Sequence, residues 1–105
     1  MKTNNLLAAI LIAAFALPSF AQTATPEIAH TERNQENRIV QGVRSGELTA
    51  TEASRLQHQQ NVIRADKRAA KVDGVVTAAE RRKIKREQKR ANRAIYNKKH
   101  NAATS

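Results

Sequence analysis

The chain repeats itself. Gly46-Glu47-Leu48-Thr49-Ala50-Thr51-Glu52 aligns with Gly74-Val75-Val76-Thr77-Ala78-Ala79-Glu80, Leu56 aligns with Ile84, and Gln60 with Gln88, every pair at one offset of 28 residues. Matches held to a single offset mark an internal duplication, over 46–68 and 74–96. Each copy reads as a helix start. The glycine (Gly46, Gly74) permits a positive φ and stops the helix before it. The threonine (Thr49, Thr77) is an N-cap, and the glutamate three residues on (Glu52, Glu80) completes a capping box. Each cap contributes about 1 kcal/mol. Leu48 and Val76, just before the caps, are apolar and can pin the turns. Helices are thus predicted to begin near Ala50 and Ala78. No Gly or Pro interrupts 50–72 or 78–99, so each forms a rod of roughly 33 Å. The short turn at Asp73-Gly74 makes the two rods antiparallel neighbours.

A third helix is predicted ahead of these, from Thr31 to Arg44, with Ile39, Val43, Glu32 and Gln35 on one face. In the middle helix Leu56, Ile63 and Ala70 recur every seven residues, and Val62, Ala65, Ala69 and Val72 lie opposite. A helix apolar on two sides is packed by two neighbours, so the middle helix is expected to be sandwiched. The last helix carries a narrow stripe, Ile84, Ala91 and Ile95, with Gln88 inside it. Gln60 and Gln88 are expected to bond each other across the seam. The fold class is all-α, three helices with a long antiparallel hairpin. Heptad spacing also allows a coiled-coil homodimer.

The first 21 residues have a separate role. A short start carrying Lys2 precedes an uncharged apolar run, Leu6 to Leu17, and Pro18-Ser19-Phe20-Ala21 ends it. This is the pattern of a signal peptide cut between Ala21 and Gln22. The run is shorter than the roughly 20 residues a membrane span needs. The expected organisation is a signal peptide over 1–21, a flexible segment over 22–29, a helical domain over 30–101 and a disordered tail over 102–105, in a periplasmic or secreted protein. Cysteine is absent, so neither a disulfide nor a lipid anchor is available. Past Phe20 the sole aromatic residue is Tyr96, and such a thin core calls for a staple or a partner.

Charge is the strongest functional signal. Past the leader, 18 basic residues stand against 9 acidic ones, a balance of +9. Arg81, Arg82, Lys83, Lys85, Arg86, Lys89, Arg90, Arg93, Lys98 and Lys99 crowd the last helix, opposed there by Glu87. From 22 to 52 the balance reverses, with Glu27, Glu32, Glu36, Glu47 and Glu52 against Arg33, Arg38 and Arg44. The bland reading is a solvated helix face beside an acidic neighbour. The functional reading is an anion-binding surface. Export and the lack of stacking aromatics weigh against nucleic acid. The anions outside the inner membrane are phospholipid headgroups, lipopolysaccharide phosphates, wall polymers and acidic proteins. Without Trp, Phe or Leu on its stripe, the last helix can adsorb to a membrane by charge but is a poor amphipathic anchor.

Metal chemistry has weaker support. Asp73-Gly74-x-x-Thr77-x-x-Glu80 has the form of the second half of an EF-hand loop, a degenerate one. The first and third ligand positions would be Ala69 and Lys71, or Gln41 and Val43 in the first copy, whereas a hard cation needs about six oxygens. The capping boxes explain the same residues. His30, His58 and His100 are scattered, and His58 is expected to be half-buried on the Val62 face. Asp66 and Asp73 sit among cations that account for them as salt bridges. No nucleophile–base set and no glycine-rich phosphate loop is visible, so no enzyme and no cofactor is expected. Three readings follow: a basic helical protein that binds an anionic surface or acidic partner, a periplasmic metal-binding or metal-responsive protein, and a chaperone-like helical hairpin that grips unfolded chains.

Three segments, "RIVQGVRSGELTATEASRL", "KVDGVVTAAERRKI" and "RAIYNKKHN", resemble a group of short exported proteobacterial proteins. That group reads as a leader, RI-x-x-G-x-x-SG-x-LT-x-x-E, DG-x-VT-x-x-E and a terminal IY-x-x-KH. The resemblance spans most of Arg38–Asn101. It implies an exported, helical protein and no particular activity, and it makes the Ile95-Tyr96 and Lys98-Lys99-His100 ending part of the pattern. Tyr96 is otherwise expected to be a packing residue closing the bundle end.

Overall fold

The computed structural model describes residues 23–101. The expected leader over 1–21, its cleavage point and the tail over 102–105 lie outside the described residues. Three helices follow one another: α1 Pro26–Ser45, α2 Ala50–Lys71 and α3 Ala78–Lys99. The fold is all-α. Cross-helix bonds set an up-down-up order. Glu27 meets Lys85 and Gln35 meets Gln88, which makes α1 and α3 parallel, while Glu32 meets Lys67, which makes α2 antiparallel to α1.

Both duplicated starts form as the sequence requires. Glu52 N donates to Thr49 Oγ1 and Thr49 N to Glu52 Oε1, at 3.1 and 3.0 Å. Glu80 N donates to Thr77 Oγ1 and Thr77 N to Glu80 Oε1, at 3.1 and 2.8 Å. Gly46 and Gly74 take φ of 79° and 83°, the left-handed region that a side chain resists. Leu48 and Val76 are buried beneath the turns. Leu48 packs in one cluster with Ala53 at the start of α2, a hydrophobic staple.

α1 starts five residues ahead of the expected Thr31. Pro26 occupies its first turn, where a missing N–H costs nothing. Ile28 is buried against Ile63 and Ile84, and Arg81 Nη1 donates to Ala24 O at 2.8 Å. The segment over 22–29, expected to be flexible, is from residue 23 on tied to α3 at Ala24, Glu27 and Ile28.

Two apolar clusters fill the core. Ile28, Ile63, Ala70, Val76, Ile84 and Ala91 form one end. Ile39, Leu48, Leu56 and Ile95 form the other. Between them each helix supplies one buried glutamine: Gln35, Gln60 and Gln88, exposed by 2%, 2% and 4%. Gln60 Nε2 donates to Gln35 Oε1 at 2.9 Å, and Gln35 Nε2 donates to the backbone carbonyl of Gln88 at 2.7 Å. Gln88 Nε2 donates to the carbonyl of Ile28 at 2.9 Å. Two of the three bonds thus use the spare lone pair of a helical carbonyl. Gln60 and Gln88 do not bond each other as expected, because Gln35 stands between them.

The helices form a triangle, each packing on both others, rather than a sandwich with α2 in the middle. Consequently the second apolar face of α2 is not covered by another helix among the described residues. Val62, Ala65 and Ala69 are exposed, and Val72 is 84% exposed. Val43 likewise faces outward, and Gly42 takes its place in the core stripe of α1. A Cβ on Gly42 would stand 2.6 Å from Leu48 Cδ1 and 2.7 Å from its Cγ.

Two stability outcomes follow. In an open helix Gly→Ala gains roughly 0.5–1 kcal/mol. Here Gly42→Ala is expected to lose about 1–3 kcal/mol in urea unfolding, because the buried Leu48 has nowhere to move. Gln35→Met is expected to cost roughly 2 kcal/mol by stranding the Gln60 amide. The double variant Gln35→Met/Gln60→Met should cost less than Gln35→Met alone, and a strictly additive loss would show that the relay contributes nothing beyond packing.

Candidate anion-binding surface

The ten cations of 81–99 divide into two groups. Four serve the fold. Lys85 Nζ lies 3.0 Å from Glu27 Oε2, Lys83 Nζ 3.9 Å from Asp66 Oδ2, and Lys99 Nζ 3.8 Å from Glu47 Oε1. The Lys99 side chain is only 12% exposed, and its stem runs over Gly42. Arg81 holds Ala24. These four fasten α3 to its neighbours. The remaining six are Arg82, Arg86, Lys89, Arg90, Arg93 and Lys98. None makes an ion pair within 4.0 Å among the described residues, and all but the half-buried Lys98 are exposed.

Four of the six form a line. Arg82, Arg86, Lys89 and Arg93 follow at spacings of four, three and four residues, the repeat that keeps side chains on one helix face. That face lies opposite the buried stripe of Ile84, Gln88, Ala91 and Ile95. The ridge runs roughly 16 Å along the helix axis. Arg90 flanks it.

The acids are consumed elsewhere. Glu32 and Glu36 clamp Arg64 and Lys67 between α1 and α2, with Arg64 Nη2 2.6 Å from Glu36 Oε1 and Lys67 Nζ 3.1 Å from Glu32 Oε2. Lys85 holds the Glu27 carboxyl below the usual carboxylate range. The Thr49 backbone N–H and the Asn101 amide do the same for Glu52. Glu87 goes the other way. Burial and the adjacent Asp66 carboxyl push it up to about 7, with Lys83 and Arg90 opposing. A carboxyl beside a carboxylate keeps its proton, since two charges so close repel.

Beside the ridge, α1 and α3 leave a polar groove of about 560 Å³. Thr31, Asn34 and Arg38 form one wall and Lys85, Lys89 and Asn92 the other, with Gln35 and Gln88 between them. An Arg38 Nη1 hydrogen bond to Asn92 Oδ1 joins the walls. The sequence reading passed over the groove residues of α1. The available signal was polar residues at one-turn intervals (Thr31, Asn34, Arg38; Lys85, Lys89, Asn92), flanking Gln35 and Gln88.

The metal candidates do not converge. Asp73 Oδ1 accepts from Val75 N at 3.2 Å, a local turn bond. Thr77 and Glu80 are occupied with each other in the capping box. The turns are αL glycine stops followed by helix caps. Among the described residues no group of three or more His, Cys, Asp and Glu could hold a metal ion. His58 is exposed, not half-buried. Tyr96 does not close the bundle end: it is 56% exposed and stacks on His100, ring centroids 4.0 Å apart. No described helix is long and apolar enough to cross a membrane.

Compared with known proteins, the chain matches no family model, no curated protein and no solved structure.

The raised carboxyl sets a pH dependence. A folded-state value of about 7 above an ordinary 4.5 means that the folded chain binds this proton more tightly. The resulting stabilisation is complete below pH 4.5 and is lost as pH rises through 7. The melting temperature of the wild type should therefore fall by a few degrees more than that of Glu87→Gln across this window. Parallel curves for the two proteins would remove Glu87 as the cause.

Proposed function

We propose that the protein is an exported, non-enzymatic binder of anionic surfaces, acting through the Arg82–Arg86–Lys89–Arg93 ridge. The observation that carries this reading is the division of the cations. The acids beside α3 are committed to inter-helix pairs, a cap or the Asp66–Glu87 site, and the ridge faces outward with no ion pair among the described residues. Three of its four residues are arginines, whose planar guanidinium grips phosphate oxygens two at a time. The apolar-rich leader supports export, which makes phospholipid headgroups and the phosphates of envelope polymers the anions within reach. The helix carrying the ridge is already packed and capped, so binding needs no folding step and circular dichroism should show no gain of helix on vesicle addition.

A second reading has its own observation. Val40, Val43, Ala50 and Ala53 line an apolar groove between α1 and α2, and Val62 and Val72 are exposed on α2, surfaces that suit a chaperone-like grip on apolar segments. Salt separates the two. Charge-driven binding weakens steeply between about 0.02 and 0.5 M salt, whereas an apolar grip does not.

The test uses residues 22–105 and phosphatidylglycerol vesicles. Each basic side chain near an anionic bilayer contributes about 1 kcal/mol. Changing Arg82, Arg86, Lys89 and Arg93 to Gln is expected to weaken binding at low salt by about two to three orders of magnitude. Changing Arg33, Arg44, Arg55 and Arg68 to Gln removes the same charge from other faces and should weaken it far less. Equal losses in both variants would reduce the effect to net charge and overturn the ridge.

A further inference from the structure

We infer that the α1–α3 groove is a binding site for a phosphorylated sugar, and that it gives the ridge a preferred headgroup. This rests on the anion-binding reading above. The lining carries the argument. It holds three cations, Arg38, Lys85 and Lys89, against one acid, Glu27, which is paired with Lys85. The net charge inside the groove therefore favours a phosphate. The exposed amides and hydroxyl of the lining are those of Asn34, Asn92 and Thr31, while the amides of Gln35 and Gln88 are buried in the floor and committed to the relay. Side-chain amides both donate and accept, which matches the hydroxyls of a sugar. The lining residues are all polar or charged, and their methylene stems supply apolar surface between the polar groups. No aromatic side chain lines the groove, which removes the stacking platform a nucleobase uses.

Size and rigidity agree with this assignment. About 560 Å³ is the scale of a small-molecule site. The floor cannot collapse, since Gln35 and Gln88 are fixed by the relay that joins the three helices. Lys89 belongs to both the groove and the ridge, so a sugar seated in the groove would place its phosphate where the ridge begins. Phosphorylated sugars reach an exported protein from two sources, lipopolysaccharide and phosphate-bearing wall polymers. The recognition chemistry is the same for both.

The test follows the side-chain amide NMR signals of Asn34, Gln35, Gln88 and Asn92 during titration with a glucosamine phosphate, with inorganic phosphate and glucosamine as separate probes. The sugar phosphate is expected to move these signals at concentrations about tenfold or more below either probe alone. Asn34→Ala/Asn92→Ala should lose about tenfold in sugar-phosphate affinity while keeping its salt-dependent binding to phosphatidylglycerol vesicles. Arg82→Gln/Arg86→Gln/Arg93→Gln should do the reverse, since it leaves the groove lining whole. A sugar phosphate that binds no tighter than inorganic phosphate overturns the site, as does an unchanged affinity in the Asn34→Ala/Asn92→Ala variant. A wild-type chain that binds the sugar phosphate but not the vesicles would sink the surface reading and leave the groove standing. Vesicles carrying lipopolysaccharide and a soluble wall glycopolymer then assign the source, and binding to neither above plain phosphatidylglycerol overturns the assignment.

Discussion

One hydrogen-bonded relay holds this bundle in register. The core is short of large side chains, and aliphatic packing alone would let three smooth helices slide or rotate. Gln35, Gln60 and Gln88 remove that freedom, because each buried amide reaches its partner at one register only. A buried amide without a partner loses about 1–3 kcal/mol, a large fraction of the stability of so small a domain. The relay also sits at the boundary between two apolar clusters that share no residue. Fixing it fixes both. The outward direction of α3 is a consequence: with Gln88 turned inward, Arg82, Arg86, Lys89 and Arg93 have to face solvent.

The acids follow the same division of labour. The chain is strongly basic, yet its carboxylates are concentrated at seams. Glu32 and Glu36 join α1 to α2, Glu27 and Glu47 join α1 and its following turn to α3, and Asp66 reaches Lys83 between α2 and α3. Partly buried pairs of this kind select a neighbour and a register more than they stabilise. Negative charge thus lies along the seams between helices and the unpaired positive charge on the outward face of α3. The acidic first helix does neutralise part of the basic run, as a solvated-face reading requires, but it reaches only the residues beside it.

Much of the fold was legible because it is written locally. Two capping boxes, two αL glycines and the apolar residue before each cap specify where α2 and α3 begin, and the structure forms them as the spacing demands. The relation between helices was not legible from periodicity. Val62, Ala65, Ala69 and Val72 read as a second buried face, but alanines and valines at one-turn spacing describe an exposed face equally well, and among the described residues the triangle has no further element to cover it. The same limit hid Gly42: a glycine in a helix interior looks like a weak point until Leu48 is seen folding back onto it. At the candidate site, composition identified the helix but not the four cations spent on structure. Lys85 and Lys99 resemble Lys89 in sequence, and only the positions of Glu27 and Glu47 tell them apart.

The ridge works against the helix that bears it. Like charges at three- and four-residue spacing destabilise a helix by about 0.2–0.5 kcal/mol per pair. Arg82–Arg86, Arg86–Lys89, Arg86–Arg90, Lys89–Arg93 and Arg90–Arg93 are all such pairs. Their sum opposes α3 by roughly 1–2.5 kcal/mol, an amount comparable to what its capping box returns. Folding alone has no use for this arrangement, since the outward face needs only to be polar. Glutamate at one or two of these positions would have served stability better. An anion on the ridge reverses the sign, because it screens the repulsion between neighbouring guanidinium groups and stabilises the helix on which it binds. On the proposed anion-binding reading, the repulsion between adjacent cations and an affinity for phosphate would be one property of the same face.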